Sequence, residues 1–174
     1  MSSFSRLILP GQPVFPQLPL HTKQGRQIPN KVRHEPPPAR LRASVELWQR
    51  ERPGAVLRSL TGTYNCIGMI VACRRTCVEP EDLLWVLADD GCRKLGGEAE
   101  AQLGDVVVYR NDVDEVAHAG IVIEKRLVDP ANPREAIRVL SKWGDDGEYE
   151  HDAPHVPPRF GKPAEYWTDR KVIA

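Results

Sequence analysis

The chain has 174 residues, 41% of them apolar, which is enough for one domain with its own core and too short for two of ordinary size. Its 24 basic and 24 acidic residues cancel, so no overall field draws it to nucleic acid or to an anionic membrane surface. No stretch approaches the roughly 18 consecutive apolar residues of a membrane span, and four prolines interrupt residues 1–20, so neither an anchor nor a secretory signal is expected. Four cysteines without paired CxxC spacing point to reduced thiols rather than a disulfide framework or a zinc knuckle. The expectation is a cytoplasmic protein, or one exported without a cleavable signal peptide, with no metal, no cofactor and no membrane partner.

Eight of the 16 prolines fall within residues 1–38, and there Arg6, Lys23, Arg26, Lys31 and Arg33 outnumber the single acid Glu35. Continuous helix or central strand is excluded by that composition. Residues 1–37 therefore read as a basic, proline-rich extended arm, either draped over the domain or loose in solution, and residues 38–174 as the domain itself. Leu41, Val45 and Trp48 recur at helical spacing up to the stop signal Pro53-Gly54, which predicts one amphipathic helix.

Gly62-Thr63-Tyr64-Asn65 is turn chemistry, and the run Cys66–Arg75 behind it is apolar almost all round, as expected of a helix at the centre of a core. A second helix is predicted from Pro80, with Glu81 and Asp82 in its first turn, through Leu83, Leu84, Trp85 and Leu87 to Gly91. The period then changes to that of strands over residues 105–109, 117–125 and 136–143, with a short candidate at 148–151. Helices precede the sheet in this α+β order.

Cys66 is expected where turn becomes helix, and the unpaired N–H groups at such a position favour thiolate. A thiolate becomes a catalyst only with a base in hydrogen-bond reach. His118, at the start of the small-residue strand His118-Ala119-Gly120-Ile121-Val122-Ile123, is the candidate base.

Three pieces carry a family resemblance. Tyr64-Asn65-Cys66-Ile67-Gly68-Met69 resembles the nucleophile helix start of NlpC-type cell-wall peptidases and CHAP amidases, and Gly104-Asp105-Val106-Val107-Val108-Tyr109 followed by His118-Ala119-Gly120-Ile121-Val122 resembles their glycine-aspartate strand and histidine strand. Ser141-Lys142-Trp143-Gly144 resembles the asparagine-serine-tryptophan-glycine segment of papain-type proteases. The resemblance covers about residues 63–149. It implies a papain-like (NlpC-type) fold, with N-terminal helices packed on a small antiparallel sheet, in a divergent, bacterial member of the cysteine peptidase and amidase group. It also implies a thioester mechanism in which Cys66 attacks an amide carbonyl, His118 is the base, Ser141 orients the imidazole, Trp143 shields that contact, and Tyr64 and Asn65 line the substrate groove. Asn65 and Ile67 depart from the usual aspartate and serine. Ser141 stabilises imidazolium less than a carboxylate would, which leaves His151 or Glu148 as an alternative third group.

Cys73, Cys77 and Cys92 read as core residues, and Cys73 with Cys77 lacks a second ligand pair for zinc. His21 and His34 carry no argument, the turn around His155 reads as a cap of the sheet rather than a cleft border, and Trp167 is expected to close the core. Two functions of different kinds are compatible with these residues. One is a thiol hydrolase of amide or peptide bonds, acting on a peptide, a cytosolic protein or a peptidoglycan stem peptide. The other is a catalytically inactive papain-like binding or regulatory module. A protein partner through the arm fits either, whereas the arm lacks the aromatic interleaving of a nucleic-acid binder.

Overall fold

The structure is a computed structural model that describes residues 16–129 and 134–171. Its three α-helices are α1 (Pro38–Glu51), α2 (Cys66–Val71) and α3 (Leu83–Asp89), and its strands are β1 (Val56–Ser59), β2 (Arg93–Lys94), β3 (Val106–Arg110), β4 (Val116–Asp129), β5 (Arg134–Lys142), β6 (Glu148–Asp152) and β7 (Lys162–Thr168). All seven strands join one antiparallel sheet in the order β1-β6-β5-β4-β3-β7-β2. The class is α+β. Three strands escape the sequence pattern: β1 lies between the first two helices, β2 has two residues, and β7 carries Trp167, which packs half-buried on the core.

Side chains alternate along a strand, and directly opposite residues share a face. Tyr109 pairs with His118, Gly120 with Ser141, Ser141 with Tyr149 and Val139 with His151, so all of these look to one side. Val107, Tyr109, Val122, Ile137 and Val139 build a core there, continued by Trp48, Trp143 and Tyr149. On the opposite side, Val108 and Ala119 meet Cys66 and Ile67 of α2 and Leu83, Val86 and Leu87 of α3. Each of the valine, leucine and isoleucine side chains contributes about 1.5–3 kcal/mol when fully buried. Two cores thus sandwich the sheet.

The helix expected over residues 66–75 is shorter by a turn, because the N–H groups of Ala72 and Arg74 both return to the Gly68 carbonyl and Cys73 and Arg74 take left-handed φ of 49° and 65°. Gly68 makes this possible. A Cβ placed there would collide with the Thr76 carbonyl oxygen as the chain doubles back. The second helix begins as a 3-10 turn, Pro80–Asp82, and stops before Gly91 at φ 82°, as its sequence suggested.

The arm does not stand apart from the domain over the residues described. Ile28, 2% exposed, enters the helix-side core, Lys31 and Cys77 exchange backbone hydrogen bonds of 2.8 and 3.0 Å, and Asn30 is a buried clasp whose side chain bonds Leu18, Ile28 and Thr76. Ion pairs of Lys31 with Glu79 and Arg33 with Asp145 add to these anchors, so side chains hold a segment whose prolines forbid regular structure. The first 15 residues of the expected arm lie outside the described residues.

Candidate functional site

Asn65 caps α2: its Oδ1 accepts from the N–H groups of Gly68 (2.9 Å) and Val78 (3.2 Å), and its Nδ2 donates to the Val78 carbonyl at 2.7 Å. The amide is consumed in joining α2 to the chain that returns behind it, so the expected substrate contact through Asn65 is replaced by a structural one. Tyr64 is likewise turned inward, 4% exposed. Its hydroxyl donates to Glu148 Oε1 at 2.8 Å, and Arg74 Nε reaches the same oxygen at 2.6 Å. Neither residue borders the cavity described below.

The Cys66 thiol is 5% exposed. Burial pushes its pKa up to about 11, against the opposing pull of the Ala119, Ile67 and Cys66 amides and of the Lys142 ammonium. At pH 7 such a thiol is on the order of one part in ten thousand thiolate. The expectation that the helix start would favour the anion is overturned by desolvation, since a six-residue helix offers little dipole against a full loss of solvent. Its ionisable neighbour is Lys142, buried on the same face, whose ammonium donates to the Gly144 carbonyl and whose pKa burial lowers to about 8.

His118 faces the other way. Its neighbour Ala119 packs with Cys66, but its own ring lies 5.2 Å from Tyr109 and stacks on Phe160 at 4.3 Å and 19°. Completely buried, it finds no hydrogen-bond partner for Nδ1 or Nε2 among the described residues, and burial, with smaller contributions from His151 and Arg159, holds its pKa well below the usual imidazole value. The expected sulfur–imidazole contact is therefore not made. Strand alternation is the physical reason: a residue next to the one touching Cys66 points to the opposite core.

Ser141 shares the His118 face but partners another imidazole. Its Oγ is 2.8 Å from His151 Nε2 and accepts from Trp143 Nε1 at 3.1 Å, while His151 Nδ1 lies 2.9 Å from the Asp152 carbonyl. A carbonyl only accepts, so the proton sits on Nδ1 and the serine hydroxyl donates to Nε2. Burial lowers the His151 pKa to about 4, consistent with a neutral ring. Trp143 shields this contact, stacked on Tyr149 at 4.3 Å and edge-on to Trp48, instead of a contact between Ser141 and His118.

The turn over residues 151–158, expected to cap the sheet, borders a cavity of about 690 Å³ between the end of α1, the β3–β4 hairpin and the start of β7. His151, Arg52, Asp112 and Lys162 are in its wall and Cys66 is not. Phe160, which covers His118, lies between the cavity-lining Pro158 and Gly161. Three aromatic or charged residues decisive for this face, Phe160, Arg52 and Lys162, have no sequence signal beyond their type. The only usable hint was the density of histidine and proline over 151–158.

All four cysteines are free, Cys73 exposed and Cys77 buried, and among the described residues no group of three His, Cys, Asp or Glu side chains is placed to hold a metal ion. Among those residues, too, no helix is long and apolar enough to cross a membrane. No family model, no curated protein and no solved structure matches the chain.

Proposed function

We propose that the chain is a non-hydrolytic binding module on a divergent papain-like scaffold of the NlpC type. The scaffold assignment rests on order: a cysteine helix, the Gly104-Asp105 turn into β3, a histidine in β4 and Trp143-Gly144 after β5. The loss of turnover rests on one observation, that Cys66 and His118 belong to opposite cores of the sheet with Phe160 stacked on the imidazole. General-base activation needs the two groups within hydrogen-bond reach, and an acyl group needs a path to the sulfur. The open cavity lies on the face away from it.

A second reading, a thiol hydrolase of amide bonds, draws on the two nitrogens of His118 that have no partner among the described residues, because a buried imidazole without partners costs stability that folded proteins seldom carry without use. Cysteine labelling with iodoacetamide, read residue by residue by mass spectrometry, separates the two. For the binding module, exposed Cys73 reacts first, Cys66 lags it by on the order of a hundredfold, and His118→Ala changes neither rate. Cys66 reacting ahead of Cys73, with the lead abolished by His118→Ala, would establish the hydrolase instead.

A further inference from the structure

Residues 16–33 form a hairpin that is complete in itself. Backbone hydrogen bonds of 2.8–2.9 Å join Thr22 to Arg26, Ile28 to Leu20 and Val32 to Pro16, and the Asn30 side chain exchanges two bonds of 2.9 Å with Leu18. A unit that satisfies its own backbone can leave its seat without unravelling. Its polar contacts with the domain run one way in charge: Lys23 bonds Asp90, Lys31 pairs with Glu79 and Arg33 with Asp145. A basic hairpin thus lies on an acidic seat, as the two sides of an interface do. Ile28 joins the apolar cluster of Leu83, Val86 and Leu87, and Lys31 bridges to Cys77 through the backbone.

Of this hairpin only Thr22, Ile28 and Asn30 are buried, and segments with so few buried contacts are the first to open. The root behind it is fixed: Glu35 accepts from Thr61 Oγ1 and from the Gly62 N–H, Pro36 is buried, and Pro37 is extended at φ −55° and ψ 139°. The exposed His34 is the pivot between root and hairpin. Every contact that holds the hairpin on its own seat is offered, unchanged, by the seat of another molecule. We propose that the seat between Cys77, Glu79 and Asp145 is an interface for a second copy of this chain, which enters it with its own hairpin, so that Ile28, Lys31 and Arg33 are exchanged between the two molecules. The closed and exchanged forms share these contacts and differ at His34. The tethered hairpin competes at an effective concentration on the order of 1 mM, so the native chain exchanges near that concentration and is closed well below it. This goes beyond the reading of the chain as a binding module and does not depend on it.

Charge reversal tests the exchange. One variant carries Lys31→Glu and Arg33→Glu, the other Glu79→Lys and Asp145→Lys, and all four native side chains are at least a quarter exposed. Each variant alone sets like charges on its seat, whereas in a mixed pair both hairpins meet opposite charges on the other molecule. Native mass spectrometry should find each variant monomeric alone and a heterodimer in the equimolar mixture. That heterodimer should form at a concentration at least about tenfold below that at which the native chain dimerises, because matched pairs replace repulsive ones on both seats. Ile28→Ala in both variants should weaken it several-fold. A mixture that stays monomeric up to about 1 mM, or a heterodimer that Ile28→Ala leaves unchanged, overturns the proposal. Should a variant not fold, native chains, unlabelled and nitrogen-15-labelled, held together at about 1 mM give mixed dimers, and their absence overturns it equally.

Discussion

Ser141 donates its hydroxyl hydrogen to His151 across 2.8 Å and takes one from the Trp143 indole across 3.1 Å, so one small side chain satisfies two buried aromatic residues. All three are 1% exposed or less. Ser141→Ala should therefore cost about 1–3 kcal/mol, the penalty of leaving buried polar groups unpaired, read as a lower midpoint in urea with an unchanged slope. Unaltered stability in that variant would mean that the network is not formed in solution.

The same network makes stability depend on pH. His151 has its pKa lowered to about 4 by burial, whereas an unfolded histidine titrates near 6.5. Below about 6.5 the unfolded chain binds a proton that the folded chain refuses, so stability is fully present above that value and is lost as pH falls toward 4. His118, lowered for the same reason, acts in the same direction. His151 alone supplies up to about 3 kcal/mol of this loss. His151→Gln should flatten the fall between pH 6.5 and 4, measured as urea midpoints across that range, and an equally steep fall in the variant would contradict the assignment.

How far the sequence led can be judged from particular residues. Leu41, Val45 and Trp48 announced α1 because a single long helix against a core leaves a clear period, and Gly104-Asp105 followed by three consecutive valines announced β3. β7 was missed because Lys162-Pro163-Ala164-Glu165 has little strand propensity and is held by its pairing with β3, which propensity does not encode. The site failed at one step. Spacing along the chain could bring Cys66 to β4, and it does meet Ala119 there, but which of two adjacent residues faces the sulfur is a matter of register, and a shift by one residue exchanges the faces. Nor could the linear pattern show that Ser141 would find His151 before His118, since both histidines lie on the same face of the sheet.

Gly68 offers a sharp test of the turn that ends α2. The space a Cβ would need is taken by the Thr76 carbonyl, backbone that cannot yield without moving the residues Asn65 clamps through Val78. Gly68→Ala should destabilise the fold by about 3 kcal/mol or more despite alanine's better helix propensity of roughly 1 kcal/mol. A variant as stable as the native chain would show that the doubling back at Thr76 is looser than described.

Lys142 presents the opposite case, a residue whose removal should help. It is fully buried on the Cys66 face, with the Gly144 carbonyl as its hydrogen-bond acceptor and Tyr64 5.4 Å below the ammonium. Burial lowers its pKa from 10.5 to about 8. The unfolded chain thus holds a proton between about pH 8 and 10.5 that the folded chain gives up, and stability falls as pH drops through that window. At pH 7 the full penalty, up to about 3 kcal/mol, is present. Methionine fills a similar volume without a charge to desolvate, so Lys142→Met should raise stability at pH 7 and lose most of that advantage by pH 10.5. Urea midpoints of the two chains at both pH values provide the comparison. Loss of stability at pH 7 in the methionine variant would show that the ammonium has partners worth more than its burial costs, with the Cys66 thiolate the first to look for.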